Sequence, residues 1–210
     1  MVLIVCSCGP LCVFGGGMAS ILNFDEIRRL AGETYEKARN EPIETRKKQM
    51  EDWFEELLID AYIAGFTGTG LPVDLVMDPE HVNLEVIHKS IDGKTVTDRI
   101  SEHIENEAKG LIENLAESEA HRVSENGGYD AAEQASQKLR RLGYVVFGKW
   151  ATMRDNRVRD THDYLEGMEV PFGERFFSYD GDSARFPGDF TKAENNCGCR
   201  CGLKYSLRRI

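Results

Sequence analysis

The segment that decides the fold of this chain begins KWATMRDNRVRDTH at residues 149–162 and closes on NCGCRC at residues 196–201. It combines a tryptophan that follows a β-branched run, an Arg-Val-Arg triplet, a histidine three residues later, a Phe-Phe pair and a cluster of three cysteines. A solvated loop gives no physical reason to combine these residue types. We therefore interpret the segment as a site with a defined structure rather than as a solvated loop.

The bulk composition predicts a globular protein with a buried core. The chain has 210 residues, of which 41% are hydrophobic and 9% aromatic, enough for one substantial domain or two small ones. The net charge of −10 is unevenly spread, with −11 in residues 1–148 and +1 in residues 149–210. An acidic surface repels phosphates, which disfavours sequence-independent DNA binding by the whole chain. The basic tail of Lys204, Arg208 and Arg209 is too short to argue strongly, and a solvated terminus is the simpler interpretation.

The cysteines indicate a reducing compartment. They fall into two groups with none between, and residues two apart in an extended segment are poorly placed to form a disulfide. The groups are Cys6, Cys8 and Cys12, and Cys197, Cys199 and Cys201.

Residues 1–19 are interpreted as a leader. They lack the basic start of a secretory signal and an apolar run of about 18 residues, so we predict no membrane segment. Three glycines precede Met18, and their codons would resemble a bacterial ribosome-binding site. We therefore hypothesise that translation begins at Met18 rather than Met1, which leaves the leader untranslated or disordered and the first cysteine group without a function.

Residues 20–142 are predicted to form an acidic helical region. Asn23 and Glu26 fit a capping box at the start of its first helix, and Thr95 or Thr97 caps a later, longer one. Apolar residues recur at helical spacing in the predicted helices that begin near residues 23, 43 and 95. The predicted helices cover about 23–40, 43–65, 78–90, 95–120 and 129–142, with a turn at 126–128.

The periodicity changes to that of a strand after residue 143. Residues 144–153 alternate as one strand, which we expect to be bulged at Gly148. The sequence thus predicts an α+β protein, with a mainly helical N-terminal part followed by a small strand-and-turn C-terminal module at residues 143–210.

The ordered motifs of this module resemble the phage head morphogenesis family, typified by the bacteriophage Mu F-like minor head protein. The likeness covers about residues 115–205. The family usually carries asparagine directly before its final Cys-Arg-Cys, whereas Gly198 stands there in this chain. The residues that carry the signature are Trp150, Asp155, Arg157, Arg159, Gly167 and Arg200.

The resemblance implies a minor structural protein of a phage or prophage head that is not an enzyme. Such a protein would associate with the portal and other capsid proteins during procapsid assembly and could contact packaged DNA during packaging or ejection. Its expected location is the virion head, and the bacterial host cytoplasm during assembly, without membrane contact.

One histidine and three cysteines offer the ligands of a zinc site: His162, Cys197, Cys199 and Cys201. The alternative is that the cysteines act as small buried hydrophobic residues, since Cys-x-Cys spacing is uncommon on one metal. A metal-dependent hydrolase built on His162 and these cysteines is a rival function, although no nucleophile motif accompanies it.

The Arg-Val-Arg triplet suggests a second rival, a DNA-binding head protein. In an extended segment Arg157 and Arg159 would share a face, with Val158 pointing inward. Pairing with nearby carboxylates is the ordinary expectation, and a clamp on a DNA phosphate or an acidic partner is the functional one. These carboxylates are Asp155, Asp160, Asp163 and Glu166.

Overall fold

The α+β architecture predicted from the sequence is confirmed. The computed structural model describes residues 23–72, 84–91 and 93–210, where helices come first and antiparallel strands follow. The leader, Met18, the first cysteine group and the predicted helix start near residue 78 lie outside these residues. The helices are α1 Phe24–Ala38, α2 Ile43–Thr67, α3 Leu84–Ile87, α4 Val96–Glu105, α5 Lys109–Arg140, α6 Asp160–Asp163 and α7 Ala193–Asn196. The strands are β1 Tyr144–Ala151, β2 Glu169–Pro171, β3 Phe176–Phe177, β4 Ser183–Ala184 and β5 Gly202–Arg209.

Helices α1 and α4 each begin at a polar N-cap residue. The Asn23 side chain accepts a hydrogen bond from the Glu26 amide at 3.2 Å. At α4 the cap is Thr95, whose hydroxyl accepts from the Asp98 amide while the Asp98 carboxylate accepts from the Thr95 amide, a complete capping box.

The single helix expected over 95–120 is in fact two. Helix α4 ends at Glu105, and Glu107 adopts a left-handed backbone conformation with φ of 51°. The amide of Ala108 then bonds back to the carbonyl of His103 at 2.8 Å. Apolar residues continue at helical spacing across this break, so periodicity alone could not reveal it.

The turn expected at Asn126-Gly127-Gly128 is wrong, because these residues lie inside the continuous helix α5. The glycines serve close helix packing instead. A Cβ atom on Gly127 would lie 2.3 Å from the carbonyl oxygen of Tyr62, and one on Gly65 would lie 1.8 Å from that of Ser124. The α2 and α5 backbones can therefore approach closely only because both positions lack a side chain.

The strands form a three-stranded antiparallel sheet in the order β2-β1-β5, with β3 and β4 paired separately. The register runs without interruption through Gly148 opposite Tyr205, so the expected bulge is absent from β1. Alternation places Val146, Gly148 and Trp150 on the buried face.

Helix α5 connects the two parts of the core. Its first half packs with α1, α2 and α4, and residues such as Leu139 in its second half pack against Val146 of the sheet. A separate cluster around Trp150 fills the C-terminal module. Of the helices described, none has both the length and the apolar character required to cross a bilayer.

The glycine contact can be tested by substitution. Gly65→Ala or Gly127→Ala should destabilise the protein by about 2–4 kcal/mol, because the added methyl group must push apart two packed backbones. Urea unfolding monitored by circular dichroism measures the change. Gly110→Ala is the matched control, since that helical glycine has no atom within 4 Å of its would-be Cβ. Equal effects at all three positions would contradict the packing explanation.

Candidate functional site

The buried centre of the C-terminal module is a histidine between two cysteines. His162 lies on α6 and is 1% exposed. Its Nδ1 atom is 3.4 Å from the sulfur of Cys199 and 3.5 Å from that of Cys201. The three ligand atoms all lie within 4.8 Å of one another, a group that could hold a metal ion.

Aromatic side chains hold the imidazole in place. The ring of His162 stacks on Phe190 with centroids 5.1 Å apart, and it meets Trp150 edge to face at 5.8 Å. Trp150 is fully buried and also contacts Phe176. The histidine therefore has little freedom to rotate away from the sulfurs.

Backbone pairing explains how distant residues meet here. The amide of Trp150 donates to the carbonyl of Met168, and the amide of Gly167 donates back to the carbonyl of Trp150. Gly167 has a φ of 76°, which glycine adopts without strain. This closure returns the chain to β1 and places α6 beside Trp150. On the other edge β5 pairs Leu203 with Trp150, which brings Cys201 to the same point.

The two buried thiols form a coupled pair. The hydrogen bond from the Cys199 thiol lowers the pKa of Cys201, and His162 and the indole of Trp150 lower it further against the opposing effect of burial. The same hydrogen bond and burial raise the pKa of Cys199. The lowered pKa of Cys201 favours its thiolate form, which is the form that binds metals.

Cys197, which was predicted among the ligands, does not lie in this group of described residues. It is exposed, at the C-terminal end of α7. Gly198 follows with a left-handed φ of 64°, and the chain turns there. After that turn Cys199 and Cys201 are buried, and Arg200 between them is only partly exposed.

The signature arginines fix the loop around the group. Arg200 donates to both carboxylate oxygens of Asp155 at 2.8 Å, and this interaction lowers the pKa of Asp155. Arg159 donates to the backbone carbonyl of Cys197. Both contacts tie residues before α6 to the cysteine segment.

The expected extended geometry of Arg-Val-Arg is wrong. A turn closed by the Val158 amide and the Asp155 carbonyl, 3.1 Å apart, precedes α6. Arg157 is exposed and Arg159 is half-buried, and both line the small void beside His162. Glu166 pairs with Arg154 instead of with either of them.

The family model for Phage Mu protein F like proteins matches residues 82–204, which is more than half of the chain. The chain belongs to this family. The match contains the whole α5 helix and the module with its histidine and two buried cysteines. It begins well before residue 115, where the likeness visible in the sequence began.

Two curated proteins are similar to parts of this Mu F-like chain. Minor head protein GP7 of Bacillus phage SPP1 is 34% identical over 92 residues, which are 44% of this chain and 28% of that protein. NAD(+)-arginine ADP-ribosyltransferase EFV of Enterococcus faecalis is 34% identical over 90 residues, which are 41% of this chain and 17% of that protein. The chain thus covers less than a third of the length of either relative. No solved structure matches it.

Asp182 organises the Mu F-like module, and sequence reasoning missed it. The carboxylate of Asp182, a residue 5% exposed, accepts hydrogen bonds from the amides of Ser183, Thr191 and Lys192, the Thr191 hydroxyl and the Asn195 amide group. Burial alone would raise the pKa of Asp182, but these hydrogen bonds leave it lowered. The segment that leads to the cysteines is therefore held by one carboxylate. The Asp-Gly-Asp turn was the available signal, but turns of that composition are common.

Loss of the Asp182 carboxylate should destabilise the C-terminal module. Asp182→Asn should cost about 2–4 kcal/mol, because an amide group replaces an acceptor among buried donors. Since the folded pKa lies below the ordinary value near 3.9, the difference from wild type should be full at neutral pH and shrink as the pH falls below about 4. Urea unfolding at several pH values measures it. The exposed Asp163→Asn is the control, and an equal loss there would contradict the prediction.

Proposed function

We propose that this protein is a minor structural protein of a phage or prophage head, associated with the portal and other capsid proteins during procapsid assembly. The observation that carries the proposal is the family match over residues 82–204. The similarity to a minor head protein of phage SPP1 supports a head role. The protein would assemble in the bacterial host cytoplasm and remain in the virion head, where packaging or ejection could bring it into contact with DNA.

The proposed role is structural rather than enzymatic. The void beside His162 and the cysteines measures only about 10 Å³, which is room for roughly one water molecule. Arginines 157, 159 and 200 line it, and no carboxylate does. A site of this size offers no space for a substrate next to a metal-bound water.

We infer that the metal is zinc. Thiolate and imidazole ligands suit zinc, and tetrahedral bonds of its usual lengths would separate sulfur and nitrogen by about 3.6 Å. The observed separations of 3.4 and 3.5 Å agree with that geometry. Bound zinc would hold α6 against the cysteine segment, so that its binding free energy would add to the stability of the module.

A metal-dependent hydrolase is the second candidate, and one observation favours it. The group offers three protein ligands beside a water-sized void, and three ligands plus water is the usual arrangement in catalytic zinc sites. The size of the void and its arginine lining favour the structural role.

Metal analysis tests the zinc assignment. Protein purified without chelator should contain about one equivalent of zinc by mass spectrometry, and Cys199→Ser or Cys201→Ser should lose it. Cys197→Ser is the matched control and should keep it, because that sulfur is exposed and outside the group. Chelation should lower the Tm of the wild type by about 5–10 °C. Less than about 0.2 equivalents in the wild type would reject a metal at this site.

Head association is tested on particles from cells that carry the gene. After induction, the protein should be present in procapsids and in filled heads, and particles assembled without the portal should lack it. Quantitative mass spectrometry of purified particles measures both. Its absence from the particles would overturn the head role, whereas its presence at normal amounts without the portal would overturn only the portal association.

DNA contact is tested separately. Phosphate-driven binding strengthens as salt is lowered, so filter binding at low salt gives it the best conditions. If no binding is seen there, contact with packaged DNA is excluded as part of the role.

A further inference from the structure

A second site lies between the helical part and the C-terminal module. Helices α1, α4 and α5 and the loops before and after α7 enclose a cavity of about 710 Å³. Ligand sites measure roughly 300–1,000 Å³, so this cavity is large enough to hold a ligand. Cys199 reaches its wall, but His162 and Cys201 do not line it.

The wall of the cavity is positively charged although the protein is acidic. Its arginines and lysine outnumber its carboxylates by four, and still by three when the pairing of Arg200 with Asp155 is counted, while the whole chain carries −10. Complementary charge favours an anionic ligand. The cations are Arg28, Lys89, Arg99, Arg122, Arg157 and Arg200, and the carboxylates are Glu117 and Glu119.

Part of this charge is buried. Arg122 and Glu119 are 7% and 2% exposed, and Glu119 pairs with Arg122 at 2.7 Å and with Arg99 at 3.1 Å. Two guanidinium groups thus share one carboxylate, which leaves one positive charge in excess. A charge removed from water is costly unless it is paired, so an anion in the cavity would stabilise this arrangement.

Further donors on the wall have no partner. The Nη2 atom of Arg99 is buried and makes no hydrogen bond within the part of the chain that is described. Lys89 and Arg157 are exposed at the cavity and form no ion pair with any residue described there. Buried donors are normally satisfied, so the Nη2 atom of Arg99 is available to donate to an anionic group in the cavity.

The rest of the wall mixes polar and apolar residues, and its apolar part favours a peptide over nucleic acid. A single strand would need free aromatic faces for its bases, but Phe190 stacks on His162 and Phe24 packs against His121 in a T-shaped contact. Leu111 is half exposed at the cavity and offers a contact for an apolar side chain. Other apolar residues of the wall are Ile91 and Leu115.

We propose that this cavity binds an acidic peptide segment of another protein, with carboxylates against the arginines and one large apolar side chain against Leu111. The inference rests on the cavity alone. It therefore stands or falls independently of the metal and of head association.

A random peptide library on messenger RNA display tests the proposal. Selection on the full-length protein should enrich peptides that combine Asp or Glu with Leu, Ile or Phe. Counter-selection uses Lys89→Glu/Arg157→Glu, which reverses the two exposed cavity charges. Loss of the enrichment on this variant supports the proposal, and an equal enrichment on it overturns the proposal.

Fluorescence anisotropy with an enriched peptide measures how much the cavity charges and Leu111 contribute to peptide binding. The double reversal should weaken binding roughly tenfold or more, and Leu111→Ala should also weaken it. Lys204→Glu/Arg209→Glu is the matched control, because it makes the same charge change on exposed β5 residues outside the cavity. Circular dichroism verifies that each variant is folded. If the control weakens binding equally, the effect comes from the net charge of the protein rather than from the cavity, and the proposal is overturned. Displacement of the peptide by duplex DNA would also overturn it.

Discussion

The C-terminal module depends on the burial of one imidazole and two thiols against Trp150. These groups lie in an apolar core in which the histidine is 1% exposed and the two cysteines are 5% and 3% exposed. Polar groups are costly there unless they interact with one another or with a metal. Their mutual contacts at 3.4 and 3.5 Å reduce that cost and determine where α6 and the cysteine segment meet. Metal binding would add free energy at the same point.

Helix α5 connects the C-terminal module to the other helices. Its glycines allow α2 to approach closely, and its last turns pack on β1. Glu125 of α5 accepts a hydrogen bond from the Leu203 amide of β5, and burial raises the pKa of Glu125 to about 8. The carboxyl is then mostly protonated at neutral pH, so it joins helix and strand without a full buried charge. The family match spans this helix and the module together.

The outer surface of the protein and the cavity between the helices and the module differ in charge. The net negative charge of the chain repels other polyanions, whereas several guanidinium groups line the cavity. Glu119 cannot neutralise both Arg99 and Arg122. A surface of this kind favours selective docking of an acidic partner segment over general binding to DNA.

Local signals in the sequence predicted much of the fold. Periodicity and caps predicted most of the helices and the strand with Trp150, and ordered motifs indicated the family. Two errors had the same physical origin. An Asn-Gly-Gly sequence is typical of a turn, but whether glycine turns the chain or admits a second helix depends on what packs against it. Apolar spacing likewise continued across the left-handed residue at Glu107.

The sequence by itself determined the residue types of the site, one histidine and a cysteine cluster, because metal-binding chemistry belongs to those side chains. Only the tertiary structure decided which of them meet. The left-handed turn at Gly198 leaves Cys197 in solvent and directs Cys199 and Cys201 toward His162. The cationic cavity was also hidden in the sequence, since its residues come from segments far apart in the chain. Long-range packing brings those segments together, and no local pattern encodes it.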